Sequence, residues 1–131
     1  QDRLLTDPYV GVCSDGSISG FHPRGHGTFA KIIEKYVVQE KLLTLEEAIR
    51  KMTSFSANVL GIYDRGTLEV GMKADINIFE PNNVRALATY PNPFVLAEGF
   101  DIVLVNGKKA WQDQNQSQQL WGRVLRPENI R

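Results

Sequence analysis

The spacing of apolar side chains changes character along this chain. Val10 to Ser14 is a short apolar run with β-branched members, bounded by Pro8 and Gly16, and it predicts a buried strand. Beyond a glycine-rich loop, Phe29, Ile32, Ile33, Tyr36 and Val37 recur at i, i+3, i+4, i+7 and i+8, one face of an amphipathic helix. Thr44 then opens a second helix, with Glu47 three residues on to complete a capping box. Its apolar stripe is Leu45, Ala48, Ile49 and Met52. A third, short helix is predicted from about Ser54 to Leu60, and Gly61 supplies its stop.

From about Gly66 the period shortens. Asp75 to Phe79 alternates loosely and ends at Pro81, as a strand would. Asn106-Gly107 lies between two extended runs, Ile102–Val105 and Lys108–Trp111, and accommodates the positive φ angles of a type I′ hairpin turn. The second half therefore reads as a small β-domain. The first half offers one strand and three helices, and a buried strand cannot satisfy its backbone groups alone. It must sit beside strands this chain does not contain, or pair with another copy. Half-covered helices beside an open strand also predict exposed apolar surface, hence association or partial disorder of the chain taken alone.

A length of 131 residues allows one domain, or one and a piece of another. Fifteen Lys plus Arg balance fifteen Asp plus Glu, which argues against nucleic acid or an anionic membrane as the main partner. No apolar stretch is long enough to span a bilayer. No signal peptide is visible, and a start at Gln1 without Met fits the end of a longer protein. The single cysteine, Cys13, permits no intrachain disulfide, which fits a reducing, cytoplasmic compartment. Within its apolar run, Cys13 reads as a small buried hydrophobe, and with two histidines it falls short of a zinc site. Gln112 to Gln119 is a polar, glutamine-rich segment that reads as a surface loop or tail connection.

One juxtaposition stands out. The buried run ends on a lone acid, Asp15, and His22, Arg24 and His26 crowd the loop behind it. Taken alone, an Asp-Gly after a strand is an ordinary turn or helix cap. Arg24 on the same terms is an exposed loop cation. Ser14 lacks the setting of a nucleophile elbow, which argues against a serine hydrolase. Asp75, at the start of its strand, reads as a bonder of backbone amides, and Trp111 and Trp121 as core anchors of the β-domain.

Longer stretches carry a resemblance. Ser14–Gly16 (SDG), His22–Phe29 (HPRGHGTF), Leu43–Ile62, Arg65–Pro81 (RGTLEVGMKADINIFEP), Val105–Gln114 and Gly122–Pro127 (GRVLRP) are similar to the carboxy-terminal third of the N-acyl-D-amino-acid deacylases. These D-aminoacylases belong to the amidohydrolase superfamily. The Gly-x-Leu-x-x-Gly-x-x-Ala-Asp strand entry at Gly66–Asp75 is general to amidohydrolases, whereas the His-Pro-Arg loop points to the D-aminoacylase branch.

The resemblance implies an α/β fold: the last strand and helices of a metal-dependent (β/α)8 barrel, followed by part of a small β-sandwich. The division would fall between residues 1–65 and 66–131. Val10–Ser14 would be the eighth barrel strand, with Asp15 at the carboxy-terminal end where barrel active sites lie. The resemblance assigns Asp15 as general base and acid in amide hydrolysis, in contact with zinc. It assigns Arg24 to the substrate carboxylate, which a guanidinium grips with two parallel hydrogen bonds. His22 and His26 could shape the loop or contact substrate, and loop support is the expected role for both; nothing makes either a metal ligand. The implied substrate is an N-acyl-D-amino acid, and the implied partner is the missing remainder of the barrel. Most zinc ligands would lie there, so the chain alone should be inert. Two alternatives stay open: a non-catalytic scaffold or assembly domain, and a segment of a cyclic-amide hydrolase of the dihydroorotase or hydantoinase kind.

Overall fold

The computed structural model describes residues 2–16, 20–113 and 115–125. A single helical turn, α1 (Asp2–Leu5), precedes the Asp15 segment. The helix predicted from Phe29 to Val37 forms as α2 (Arg24–Lys31), which passes without a break into a π-helical segment, Ile32–Gln39. The wider winding persists to the end, where the Glu40 amide donates to the Lys35 carbonyl at 2.8 Å. Lys41, at φ 51°, then turns the chain, and the amides of Leu42 and Leu43 both donate to the Tyr36 carbonyl. The apolar spacing gave no sign of π winding, because the same face stays buried in either form. Ile32, Ile33 and Tyr36 are buried as expected, but Phe29 is 43% exposed.

Thr44 starts the next helix, α3 (Leu45–Met52), its Oγ1 accepting from the Glu47 amide at 3.2 Å. The side chain of Glu47 does not complete the reciprocal box; it turns to Arg50 and Lys51 instead. The third helix, α4 (Ser54–Val59), ends at Leu60 and Gly61, whose φ of 69° suits glycine.

The β-half is a four-stranded antiparallel sheet in chain order: β1 (Ile76–Phe79), β2 (Phe100–Val105), β3 (Lys108–Gln112) and β4 (Asn115–Gln116). The Asn106-Gly107 turn has the two positive φ angles its sequence called for, 50° and 76°. Asp75 Oδ1 accepts from the Asn106 amide at 2.7 Å, and its other oxygen pairs with Arg65 at 2.6 Å, tying the Gly66–Asp75 entry to the hairpin. Part of the glutamine-rich segment is therefore a strand rather than loop, since its backbone completes the ladder of β3 whatever its side chains. Trp111 and Trp121 are half-buried and lie outside the main apolar clusters. Each is fixed through its ring nitrogen, to the Phe100 carbonyl and to Ser117 Oγ respectively.

Two apolar clusters meet at Met52. Ile32, Tyr36, Leu43 and Ala48 join the helices, while Ala30, Ile33 and Val84 join the first helix to the sheet. Val84 is fully buried, and the backbone beside it packs tightly against Gly99. Gly99 sits at φ 87°, and a Cβ there would collide with the Asn83 carbonyl and lie 2.7 Å from Val84 Cα. Gly99→Ala is accordingly expected to destabilise the fold by about 3 kcal/mol, combining backbone strain with overpacking. A thermal or urea melt of the variant checks this, and an unchanged midpoint would contradict it.

Val10–Ser14 departs from expectation. It forms no strand ladder among the described residues. Its exposure alternates: Val10, Val12 and Ser14 are half-buried, while Gly11 and Cys13 face solvent. The cysteine is thus exposed, not a buried hydrophobe. Val12 packs against the helical cluster, and Cys13, next to it in the chain, is left exposed. Among the described residues no helix is long and apolar enough to cross a membrane. Arg126 and Pro127 of the last motif lie outside the described residues.

Candidate active-site segment

The Asp15 backbone is left-handed, at φ 46°, a conformation that Asp tolerates better than most residues. Next to it, Gly16 packs against Gly25 in the first turn of α2, and a Cβ on Gly16 would lie 3.0 Å from Gly25 Cα. The turn can therefore sit directly on the start of that helix. This brings Asp15 Oδ2 to 2.7 Å from a terminal nitrogen of Arg24. The side chains are 72% and 49% exposed, so water screens the pair, and its worth to stability is about 0–1 kcal/mol.

The His-Pro-Arg loop is held from both sides. His22 Nδ1 accepts from the Arg24 amide at 3.1 Å, and its Nε2 lies 3.1 Å from the Tyr90 hydroxyl. His26 and Phe21 both set their rings edge-on to Phe94. Both histidines thus make contacts that hold the loop. Tyr90 and Phe94, which reach the loop from beyond β1, were not foreseen. Their signal was weak, two aromatics in the Pro-rich stretch Tyr90–Phe94 that no periodic element claimed.

Beside Arg24 runs a groove of about 440 Å³ whose walls include His22, Thr28, Lys31, Glu34 and Tyr90. Asp15 is not among its lining residues. The described residues contain no group of three His, Cys, Asp or Glu side chains placed to hold a metal ion. As a hard oxygen donor on an accessible carboxylate, Asp15 suits a single position in a zinc shell, and a complete shell needs ligands that the described residues do not bring together.

Comparison with known proteins decides the family. The amidohydrolase family model matches residues 6–109, from the approach to Asp15 through the hairpin turn. The chain belongs to the amidohydrolase family. Within it, this amidohydrolase chain is 37% identical to the N-acyl-D-aspartate deacylase of Alcaligenes xylosoxydans xylosoxydans over 96% of its own length and 26% of that enzyme's. A D-aminoacylase structure studied for its binuclear metal centre superposes with a TM-score of 0.88 at 36% identity, over 94% of this chain and 26% of that one. The N-acyl-D-glutamate deacylase of Bordetella bronchiseptica, bound to zinc and a phosphonate mimic of the tetrahedral intermediate, superposes with a TM-score of 0.81 at 35% identity. That match covers 87% of this chain and 24% of the deacylase. The chain thus spans about a quarter of the relatives it matches. The amidohydrolase chain shares with them its helices and small antiparallel sheet.

Proposed function

We propose that this chain is the carboxy-terminal segment of a zinc-dependent amidohydrolase that cleaves the amide bond of N-acyl-D-amino acids, releasing a D-amino acid and a carboxylate. The observation that carries the reading is the placement of Asp15 beside Arg24. A group suited to proton transfer and a group suited to binding a carboxylate stand together at the end of the Val10–Ser14 segment, as the substrate requires. Residues 1–65 would form the end of a (β/α)8 barrel, with Val10–Ser14 as its eighth strand, and residues 66–131 part of a β-sandwich. The packing of Val12 against the helices supports this, because a barrel strand has the helices of the outer ring beside it. The open surface supports it too. The chain exposes 9470 Å². A compact monomer of its mass, 14.7 kDa, exposes about 6,900 Å².

In this reading Asp15 is one zinc ligand, and the others come from outside the described residues. Zinc, when bound, supplies a Lewis acid and favours deprotonation of water. Asp15 takes a proton from the attacking water and returns it to the leaving nitrogen, so one carboxylate serves as base and then acid. Arg24 binds the free carboxylate of the substrate with two parallel hydrogen bonds. Its exposure and its reach across the Asp15 turn leave it able to move between the two carboxylates. The segment alone is inert, and in the whole protein it forms one wall of the site. The lone cysteine and the absence of any disulfide pairing within the chain fit a cytoplasmic enzyme.

The test is hydrolysis of N-acyl-D-amino acids by the full-length protein containing this chain, with its zinc content measured. Release of D-amino acid, abolished by chelation and restored by zinc, is the expected result. Cleavage of cyclic amides in preference to linear ones would move the protein to the dihydroorotase-like alternative, and no hydrolysis of either, with zinc bound, would leave a scaffold.

A further inference from the structure

Lys51 is fully buried, yet it is an ammonium and stands outside the apolar stripe of α3. Burying a charge is costly unless hydrogen bonds and an opposite charge compensate it, so its partners say what it is for. They lie in the approach to Asp15. The Val10 amide donates to the Asp7 carbonyl at 3.1 Å, closing a turn through Pro8 and Tyr9. Lys51 Nζ donates to both end carbonyls of that turn, Asp7 O and, at 2.8 Å, Val10 O. Glu47, one turn back on α3, lies 3.5 Å from the same ammonium.

Three neighbouring contacts act on the same few residues. Arg50 donates to the Pro8 carbonyl at 2.8 Å while gripping Glu47 through two nitrogens. That grip holds the Glu47 carboxyl down at about 2, chiefly through the hydrogen bond from Arg50. The Lys51 carbonyl accepts from the Val12 amide at 3.1 Å. Gly11 lies against the Phe55 ring, so closely that a Cβ would come within 2.8 Å of it.

We infer that Lys51 is a positioning residue for Asp15: it fixes the turn from which the Val10–Ser14 segment departs, and so sets how far the carboxylate projects. The inference rests on the reading of Asp15 as the proton-transfer group. Lys51 touches neither substrate nor metal. A segment of five residues spans at most about 16 Å, so the effect is transmitted along the backbone from its root. Neighbouring strands can hold such a segment laterally. The ammonium, gripping carbonyls at both ends of a turn, fixes its position along its own axis.

The experiment compares wild type, Lys51→Met and Asp15→Asn in the full-length enzyme, with rates expressed per folded, zinc-loaded site. Lys51→Met is expected to lower kcat about 30-fold with KM changed less than about threefold, because a displacement near 1 Å is costly to the chemical step and not to binding. Hydrogen exchange in the 7–15 peptide should rise in the same variant, independently of turnover. If Lys51→Met does not accumulate as folded protein, Lys51→Gln, which keeps a donor without the charge, is judged by the same kcat ratio and exchange. A kcat within twofold of wild type, alongside an inactive Asp15→Asn, overturns the positioning role and leaves the function intact. An active Asp15→Asn overturns both.

Discussion

Asp15→Asn is expected to lower kcat by about 10³-fold, with the protein still folded, because an amide of the same shape cannot take up and return a proton. The ion pair with Arg24 is screened, so a variant that keeps its zinc should melt at nearly the wild-type temperature. Steady-state kinetics of the full-length enzyme on an N-acyl-D-amino acid, with zinc content and a thermal melt on the same sample, make the measurement. Zinc loading separates the two tasks proposed for the carboxylate. A variant that loses activity but keeps its zinc has lost proton transfer, and one that loses zinc as well has lost a ligand. A kcat within tenfold of wild type would show that Asp15 is the ordinary turn residue its local sequence also permits.

Arg24→Ala is expected to reduce kcat/KM by about 10²-fold on a substrate with a free carboxylate, the cost of losing a charge-assisted, two-point contact. The diagnostic comparison uses the same substrate as its carboxamide. Wild type should handle the carboxamide poorly, and Arg24→Ala should lower its turnover little further. Arg24→Lys should recover only part of the loss, since an ammonium is a point charge and cannot make the paired contact. Equal losses on acid and amide would remove Arg24 from the binding role and make it a partner of Asp15 alone.

Much of the fold was legible where its determinants are local. Thr44 caps α3 through its own hydroxyl, Gly61 ends α4, and Asn106-Gly107 takes the angles that only a few residue pairs allow. Each depends on residues within a turn of one another. Asp75 accepts from a backbone amide as its sequence setting suggested, but the donor is Asn106, thirty-one residues away, and not an amide of its own turn. Where the reading missed, the cause was distant. Nothing in Phe29–Val37 distinguishes α from π winding, since both bury Ile32, Ile33 and Tyr36. The strand in Asn115–Gln116 exists because β3 offers an open edge, and polar side chains neither favour nor forbid it.

The candidate site divides along the same line. Residue types and order alone put an acid, a guanidinium and two histidines around one glycine-rich loop. Local chemistry also determined the helix starts and stops and the hairpin, because capping and turn conformations are decided within a few residues. Only the tertiary structure set Asp15 against Arg24, through the bare Gly16–Gly25 contact, and brought Tyr90 and Phe94 onto the loop from the sheet side. It alone buried Lys51 under the turn at Asp7–Val10, for a helix stripe read from sequence counts a lysine as polar and leaves it outside. The physical reason is that a buried charge is stable only where distant carbonyls converge on it, and convergence is a property of the folded chain.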